Sequence, residues 1–409
     1  MSPTPLQGKR IVLGVTGSIA AYKAVDLASR LTQAGAQVDV VLTEAATRFV
    51  TPITFQSVTG RAAYTDDDLW GAQAHVLHVG LARQAELLVI APVTAHTLAK
   101  LAHGLADDLL SLAVLAATCS LLLAPAMDGG MFAHRTTQEN LYLLEERGAI
   151  VVGPEEGHLA SGLTARGRMT EPRDLLGHIR YHLSRGGPLQ GRTVVVTAGG
   201  TQEPIDPVRF LTNRSSGKQG YALAQAALDA GAEVVLIAAP AKLPTPIRAR
   251  RVAVRTAEEM AEAVLRACPD ADVLLMAAAV ADFRPAQAAG QKLKKVEGVP
   301  TLLLEPTPDI LAAVARQRRQ TGRPRVAVGF AAETEDLLAN ARAKLHAKSL
   351  DLIAANDVSA TDAGFGVDTN RVTLLDAAGT VEALPLLSKA EVAERVIERV
   401  IDLLETRET

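Results

Sequence analysis

The sequence predicts an α/β protein made of two doubly wound, mostly parallel-sheet domains joined by a short linker. Three observations carry that prediction. Apolar β-branched runs alternate with Ala-rich helical stretches, the pattern of a parallel sheet covered on both faces. The phrase at 34–41, AGAQVDVV, returns at 230–237 as AGAEVVLI, so a helix end followed by a strand occurs once in each half. Between the halves, 184–191 reads SRGGPLQG, where Gly and Pro break one helix ahead of a fresh strand. The boundary falls near residue 189, giving domains over 1–188 and 189–409.

Taken in order, residues 10–16 form a strand and Gly17-Ser18 turns into a helix over 19–33, which Gly35 ends. The next strand is 38–42, and further strands lie at 87–91, 121–124 and 150–152, each preceded by a helical pattern. The uncharged stretch 109–127 is about long enough to span a bilayer. Ser111, Thr118, Ser120 and Pro125 interrupt it, so it reads as a buried helix and strand. Residues 153–173 are Gly-rich with little periodicity, which suits a mobile flap. In the second half a strand starting at Thr193 ends in Ala198-Gly199-Gly200, where backbone can approach a ligand closely. A long polar loop follows. Ser215-Ser216-Gly217-Lys218 then opens a helix that closes at Gly231, and 233–239 is the next strand. The N–H groups and dipole of that helix start make a seat for phosphate.

Composition narrows the function. With 48% hydrophobic residues over 409, both domains can bury full cores. A net charge of −3 and 3% aromatics give no footprint for nucleic acid. Two cysteines in different halves argue against a disulfide framework and for a reducing, cytoplasmic setting. The N-terminal MSPTPLQGKR lacks the apolar core of a signal peptide.

Several residues invite chemistry. The GVTGSIA turn suits a mononucleotide phosphate better than a dinucleotide, because the full dinucleotide fingerprint is missing. His75 and His78 have no cysteine or third histidine near them in a ligand pattern, so a solvated turn outweighs a metal site. Pro125-Ala126-Met127-Asp128 ends a strand where α/β sheets place ligands, although an N-cap Asp reads the same way. Asp282 runs off an apolar strand ahead of Lys292, Lys294 and Lys295. A carboxylate near lysines suits a magnesium triphosphate, and such charge runs also occur on solvated faces. Lys344 and Lys348 fall on one helix face.

The motifs GVTGSIAAYK, TEAATRFVTPITF, HVGLARQAELLVIAP, PAMDGGMF, TAGGTQEPIDPVRFLTNRSSGKQG, AAVADFRP, KLKK, VGFAAET and ANDV occur in that order. Together they resemble the bifunctional phosphopantothenoylcysteine decarboxylase/phosphopantothenate–cysteine ligase family of coenzyme A biosynthesis, over nearly the whole chain. The resemblance implies a flavodomain followed by a Rossmann-like ligase domain. In the ligase, the phosphopantothenate carboxylate attacks the α-phosphate of CTP and cysteine displaces CMP. Asn213 matches the acyl-intermediate contact, Asp282 the Mg2+ position and Lys292 a phosphate partner. Met276, Ala277, Ala278, Thr307, Pro308, Asp309, Ile310, Phe330, Lys344 and Lys348 match CTP positions. In the decarboxylase, FMN oxidises the cysteinyl thiol so that carbon dioxide can leave, then reduces the enethiol. Gly17, Ser18, Thr43, Thr94, Ala95, His96, Thr97 and Ala126 match FMN positions, and His78, not His75, matches the catalytic histidine. The family also implies trimeric flavodomains and dimeric ligase domains.

Four positions depart from that pattern. Thr307 stands where relatives often have Asn, and His96 replaces the usual Asn or Asp. Asp128 replaces an Asn, and its charge would repel a substrate carboxylate unless it were protonated or bonded elsewhere. Ser161 replaces the flap cysteine that donates the last proton, and a hydroxyl is a far weaker acid than a thiol of pKa about 8.5. The rival expectation is therefore an active ligase whose flavodomain stalls at the enethiol or serves as a non-catalytic binding scaffold. A nicotinamide dehydrogenase is disfavoured.

Overall fold

The computed structural model describes residues 4–70, 76–294, 301–333, 336–357 and 367–407; His75 and Lys295 lie outside them. The chain divides into two compact units, the first ending at Leu183 and the second beginning at Ser184.

The first unit runs β1 (Arg10–Val15), α1 (Ala21–Gln33), β2 (Gln37–Leu42), α2 (Glu44–Thr47), α3 (Pro52–Thr59), β3 (Ala63–Tyr64), α4 (Leu77–Gln84), β4 (Leu87–Val93) and α5 (Ala95–His103). It continues through α6 (Leu109–Ala116), β5 (Ser120–Pro125), α7 (Gly129–Ala133), α8 (Arg135–Glu146), β6 (Ile150–Val151), β7 (Glu155–His158), β8 (Thr164–Arg168) and α9 (Pro172–Leu183). Six strands pair in parallel in the order β3-β2-β1-β4-β5-β6. The apolar runs are explained by the period of two. Along β4, Leu87, Val89 and Ala91 enter one core while Leu88 and Ile90 enter the core on the other face, and Val93 joins that second core past a register shift that breaks the alternation. Helix α1 covers the first core with Ala24, Leu27, Ala28 and Leu31, spaced three and four apart. The uncharged stretch is indeed a helix, α6, and a strand, β5. No described helix is long and apolar enough to cross a membrane.

The second unit runs β9 (Thr193–Ala198), β10 (Gln202–Pro204), β11 (Phe210–Thr212), α10 (Lys218–Asp229), β12 (Glu233–Ala238), β13 (Arg250–Ala253), α11 (Ala257–Ala267), β14 (Val273–Met276), β15 (Phe283–Pro285) and β16 (Leu304–Pro306). It ends with α12 (Ile310–Thr321), β17 (Val326–Glu333), α13 (Leu337–Ala347), β18 (Leu352–Asp357), β19 (Thr369–Asn370), β20 (Val372–Asp376), β21 (Val381–Ala383), β22 (Leu387–Ser388) and α14 (Lys389–Thr406). The main sheet has the order β13-β12-β9-β14-β17-β18-β20-β21. It is parallel through β18 and antiparallel at β20 and β21. Gly220 lets α10 lie directly on β9, because a Cβ there would sit 2.5 Å from that of Ala198.

Three expectations change. The aperiodic flap is an antiparallel hairpin, β7–β8, whose alternation is hidden by glycines and charges. The polar loop after Gly200 contains a second hairpin, β10–β11, seated by the buried Glu203 accepting from the Ala257 N–H at 2.9 Å. The stretch read as a linker is folded into the second unit. Leu189 is buried and its N–H donates to the Ala230 carbonyl at 2.8 Å, while Gly187 lies so close that a Cβ would meet that same oxygen.

Candidate active sites

In the first unit the strand order reverses between β1 and β4, and ligands in such sheets bind beyond the carboxyl ends at the reversal. The flavin positions predicted from sequence all lie on that edge. Gly17 and Ser18 follow β1, Thr43 follows β2, Thr94 to Thr97 follow β4, and Ala126 follows β5. Each turn is fixed locally. Thr43 and Thr94 are N-caps, accepting from the N–H groups of Ala46 and Thr97 at 3.3 Å. The Gly17 turn meets Ala45 so closely that a Cβ would stand 2.5 Å from the alanine methyl. Sequence reasoning missed Thr16, whose buried hydroxyl donates to the Pro92 carbonyl at 2.8 Å and accepts from the Thr94 N–H at 3.0 Å. It ties the β1 and β4 turns together. Ala95 and the exposed His96 open α5.

His78 lies within the first turn of α4 rather than before it. Its Nδ1 is buried without a hydrogen-bond partner among the described residues. An orphaned ring nitrogen in the first turn of α4 fits a polar substrate that would satisfy it.

The two departures in this unit meet each other. The Ser161 hydroxyl, at the tip of the β7–β8 hairpin, donates to Asp128 Oδ2 at 2.6 Å. The other Asp128 oxygen caps α7, accepting from the Gly130 N–H at 2.9 Å. These bonds, Ser161 first and Gly130 second, hold the Asp128 carboxyl below its ordinary pKa. The base of the hairpin is fastened separately. The Met127 N–H donates to the Gly167 carbonyl at 3.0 Å, and a Cβ on Gly167 would strike the Met127 carbonyl.

In the second unit a cavity of about 770 Å³ opens at the carboxyl ends of β14 and β17, over the start of α10. It gathers Asn213, Met276, Ala277, Ala278, Asp282, Thr307, Pro308, Asp309, Ile310, Phe330, Lys344 and Lys348. Of the predicted ligase residues only Lys292 is not in its wall. Lys292 is exposed on a loop held by its neighbour Leu293, whose N–H reaches Asp206 at 3.2 Å and whose carbonyl accepts from Arg209 at 2.9 Å. Asp206 is buried. The Arg209 guanidinium holds its carboxyl far below the usual carboxylate range, aided by N–H groups of Val208, Arg209 and Leu293.

The wall is set from behind by threonines that the sequence reading passed over. The Thr197 hydroxyl donates to Met276 Sδ at 3.4 Å and accepts from the N–H groups of Ala277 and Ala278 at 3.1 and 3.0 Å. Thr201 accepts from the Ala281 N–H at 2.9 Å. A strand-end Thr-Ala-Gly-Gly-Thr is the signal that could have found them. Asn213 Nδ2 donates to the Val280 carbonyl at 2.9 Å. The Thr307 hydroxyl donates to the Ala281 carbonyl at 2.6 Å, so this departure joins two loops of the wall. Lys344 Nζ donates to the Phe330 carbonyl at 3.3 Å, and Lys348 pairs with Asp309, the N-cap of α12. Burial, the largest influence, would raise the Asp309 pKa; the bond to Lys348, the Ala312 N–H and the charges of Lys348 and Arg316 together outweigh it and leave the carboxyl low. Asp282 faces the cavity, and no cluster of three or more His, Cys, Asp or Glu forms among the described residues.

Comparison with known proteins agrees in both halves. Residues 1–184 match the family model described as Flavoprotein, and residues 189–404 match that of the DNA/pantothenate metabolism flavoprotein C-terminal domain. The chain is 43% identical over 401 residues to the coenzyme A biosynthesis bifunctional protein CoaBC of Bacillus subtilis (strain 168), covering 97% of this chain and 98% of that one. It is 46% identical over 408 residues to the protein of the same name from Mycobacterium tuberculosis (strain ATCC 25618 / H37Rv), with 97% of each covered. A crystal structure of the C-terminal domain of such a protein aligns with a TM-score of 0.46 and 39% identity, over 54% of this chain and 99% of that one.

Proposed function

The chain belongs to the family of coenzyme A biosynthesis bifunctional proteins, and from that premise we propose how its halves divide two consecutive reactions. Residues 189–409 join 4'-phosphopantothenate to cysteine at the expense of CTP. Residues 1–188 are an FMN-dependent decarboxylase that converts the product to 4'-phosphopantetheine. The observation that carries the reading is the cavity of about 770 Å³ whose wall gathers, from distant parts of the sequence, the residues matched to acyl, nucleotide and cation positions.

In the ligase the phosphopantothenate carboxylate attacks the α-phosphorus of CTP, and pyrophosphate leaves. The cysteine nitrogen then attacks the acyl carbon, CMP departs and the nitrogen loses its proton. Asn213, fixed to Val280, offers a neutral amide beside the acyl group. Lys344 and Lys348 offset nucleotide charge. Asp282 belongs to no cluster of three or more such ligands among the described residues, which suits Mg2+ held mainly by substrate phosphates and water.

In the decarboxylase, bound FMN supplies the oxidation that lets carbon dioxide leave and returns the two electrons afterwards. The turns after β1, β2 and β4 supply the residues that would hold it. His78 supplies a ring nitrogen with no competing partner among the described residues. Asp128 is bonded to Ser161 and Gly130, so its charge is engaged rather than aimed at the substrate. That pairing answers the charge objection at Asp128, and the full-length likeness to bifunctional relatives supports the complete reaction over a flavodomain stalled at the enethiol. Assembly through flavodomain trimers and ligase dimers is part of the same proposal, and the exposed Ile19, Tyr22, Phe49 and Ile53 of the first unit support its flavodomain half.

Mass analysis after incubation with phosphopantothenate, cysteine, CTP and magnesium tests the reading. Phosphopantetheine is the expected end product, with CTP serving better than ATP. Equal turnover with ATP would overturn the nucleotide assignment, and absence of any amide would overturn the ligase.

A further inference from the structure

Lys292, the residue matched to a phosphate contact, is exposed and stands outside the cavity wall, so its reach depends on where its loop is fixed. That loop is tied to the turn at 205–209, between β10 and β11. The Ala289 N–H donates to the Ile205 carbonyl at 2.9 Å. Further along, Leu293 is gripped from both sides. Its N–H donates to Asp206 Oδ2 at 3.2 Å, and its carbonyl accepts from Arg209 at 2.9 Å. Lys292 lies between these two fixing points.

The two oxygens of Asp206 serve different partners. Oδ1 accepts from the N–H groups of Val208 and Arg209, both at 2.8 Å, and so closes its own turn. Oδ2 accepts from Arg209 Nε at 2.8 Å, from the end of the same guanidinium, and from Leu293. The turn itself uses only the first oxygen. The second, on a side chain that is 0% exposed, serves the loop. Buried ion pairs add little net stability, and their better-attested use is to fix one arrangement among several. Asn213, just after β11, has its own anchor at the Val280 carbonyl and does not need this clamp.

Resting on the ligase reading above, in which Lys292 is a phosphate partner, we propose that Asp206 is a positioning residue for the first half-reaction. With Arg209 it clamps Leu293 and thereby aims Lys292 at substrate phosphate.

The test uses the full-length protein and the change Asp206→Asn. With its amide oxygen in the place of Oδ1 the asparagine keeps the turn, while its NH2 meets the Leu293 N–H and the guanidinium, donor against donor. Pyrophosphate release from CTP and phosphopantothenate is measured in wild type, Asp206→Asn, Lys292→Met and the double variant. Each single change should lower kcat/KM roughly 10- to 100-fold, the cost of misplacing a group that stabilises charge. On the Lys292→Met background Asp206→Asn should add less than about threefold, because the two act as one unit. Trypsin should cut after Lys292 sooner in Asp206→Asn than in wild type. An equal loss from Asp206→Asn with and without Lys292, or unchanged release in Asp206→Asn, overturns the proposal. If that variant does not fold, hydrogen exchange in wild-type protein decides: the Leu293 amide should be protected, and free exchange overturns the clamp. Lys292→Met with unchanged release instead overturns the phosphate role of Lys292. In that case the trypsin and exchange measurements still decide whether Asp206 holds the loop.

Discussion

At the scale of single residues, Asp128 and Ser161 show what a sequence reveals and what it withholds. Each is legible as a departure, one adding a charge and the other removing an acid. Their partnership is not, because 33 positions separate a strand-end cap from a hairpin tip that meet only in the folded unit. Ser161→Ala should raise the Asp128 pKa toward the ordinary value of about 3.9, since the hydroxyl is the largest influence lowering it. Carboxyl NMR titration reads this directly, and an unmoved pKa would mean that the contact does not form in solution. His78→Asn should lower carbon dioxide release by about 10²–10⁴-fold, the usual share of a positioned proton-transfer group, while flavin absorbance stays. Retained release would place the chemistry elsewhere. Lys292 reads from the residues alone as charge on a polar stretch, and only the family resemblance makes it a phosphate partner. Periodicity could not foretell that its loop is anchored through Leu293 to Asp206, outside the cavity wall.

At the scale of elements, the parallel strands were the most legible part, because burial on both faces leaves unbroken apolar runs. The two hairpins were not, since short strands rich in glycine, proline and charge carry no alternation. Placement of the cavity wall depends on β9 lending Thr197 to the turn after β14. Thr197→Val keeps the shape but leaves the Ala277 and Ala278 N–H groups unpaired, so it should destabilise the unit by about 1–3 kcal/mol and weaken CTP binding. Urea denaturation with nucleotide titration checks both. At the opposite end of the same strands, Asp272 accepts from the Thr193 N–H at 3.0 Å and from Arg323 at 2.7 Å. Burial by itself would raise its pKa, but these partners and Arg192 bring it below the usual value. A lowered folded pKa means that its contribution is present above about pH 3.9 and is lost as pH falls through the folded value. Asp272→Asn should therefore flatten the acid limb of a stability–pH profile and change little in slope near neutrality. An unchanged acid limb would remove Asp272 from that role.

At the scale of the molecule, the repeated Ala-Gly-Ala phrase announced two similar folds, and Gly-Gly-Pro marked the seam within a few residues. The exact cut was hidden because glycine and proline read as free chain even where they are packed. Residues 184–409 should fold and form the amide alone. A shorter piece starting at Arg192 should melt earlier, having lost Leu189 and the contact of Gly187 with Ala230. Circular dichroism melts and product assays of the two fragments check this, and equal melting would show that the seam segment adds nothing. Every strand of the six-stranded sheet lies before Leu183, and every strand of the eight-stranded sheet lies after it. The first sheet thus waits for nothing encoded later. On a ribosome adding about 5–20 residues per second, it has roughly 11–45 s to close before Thr409 is joined. The half-made chain should already resist protease over its first 183 residues.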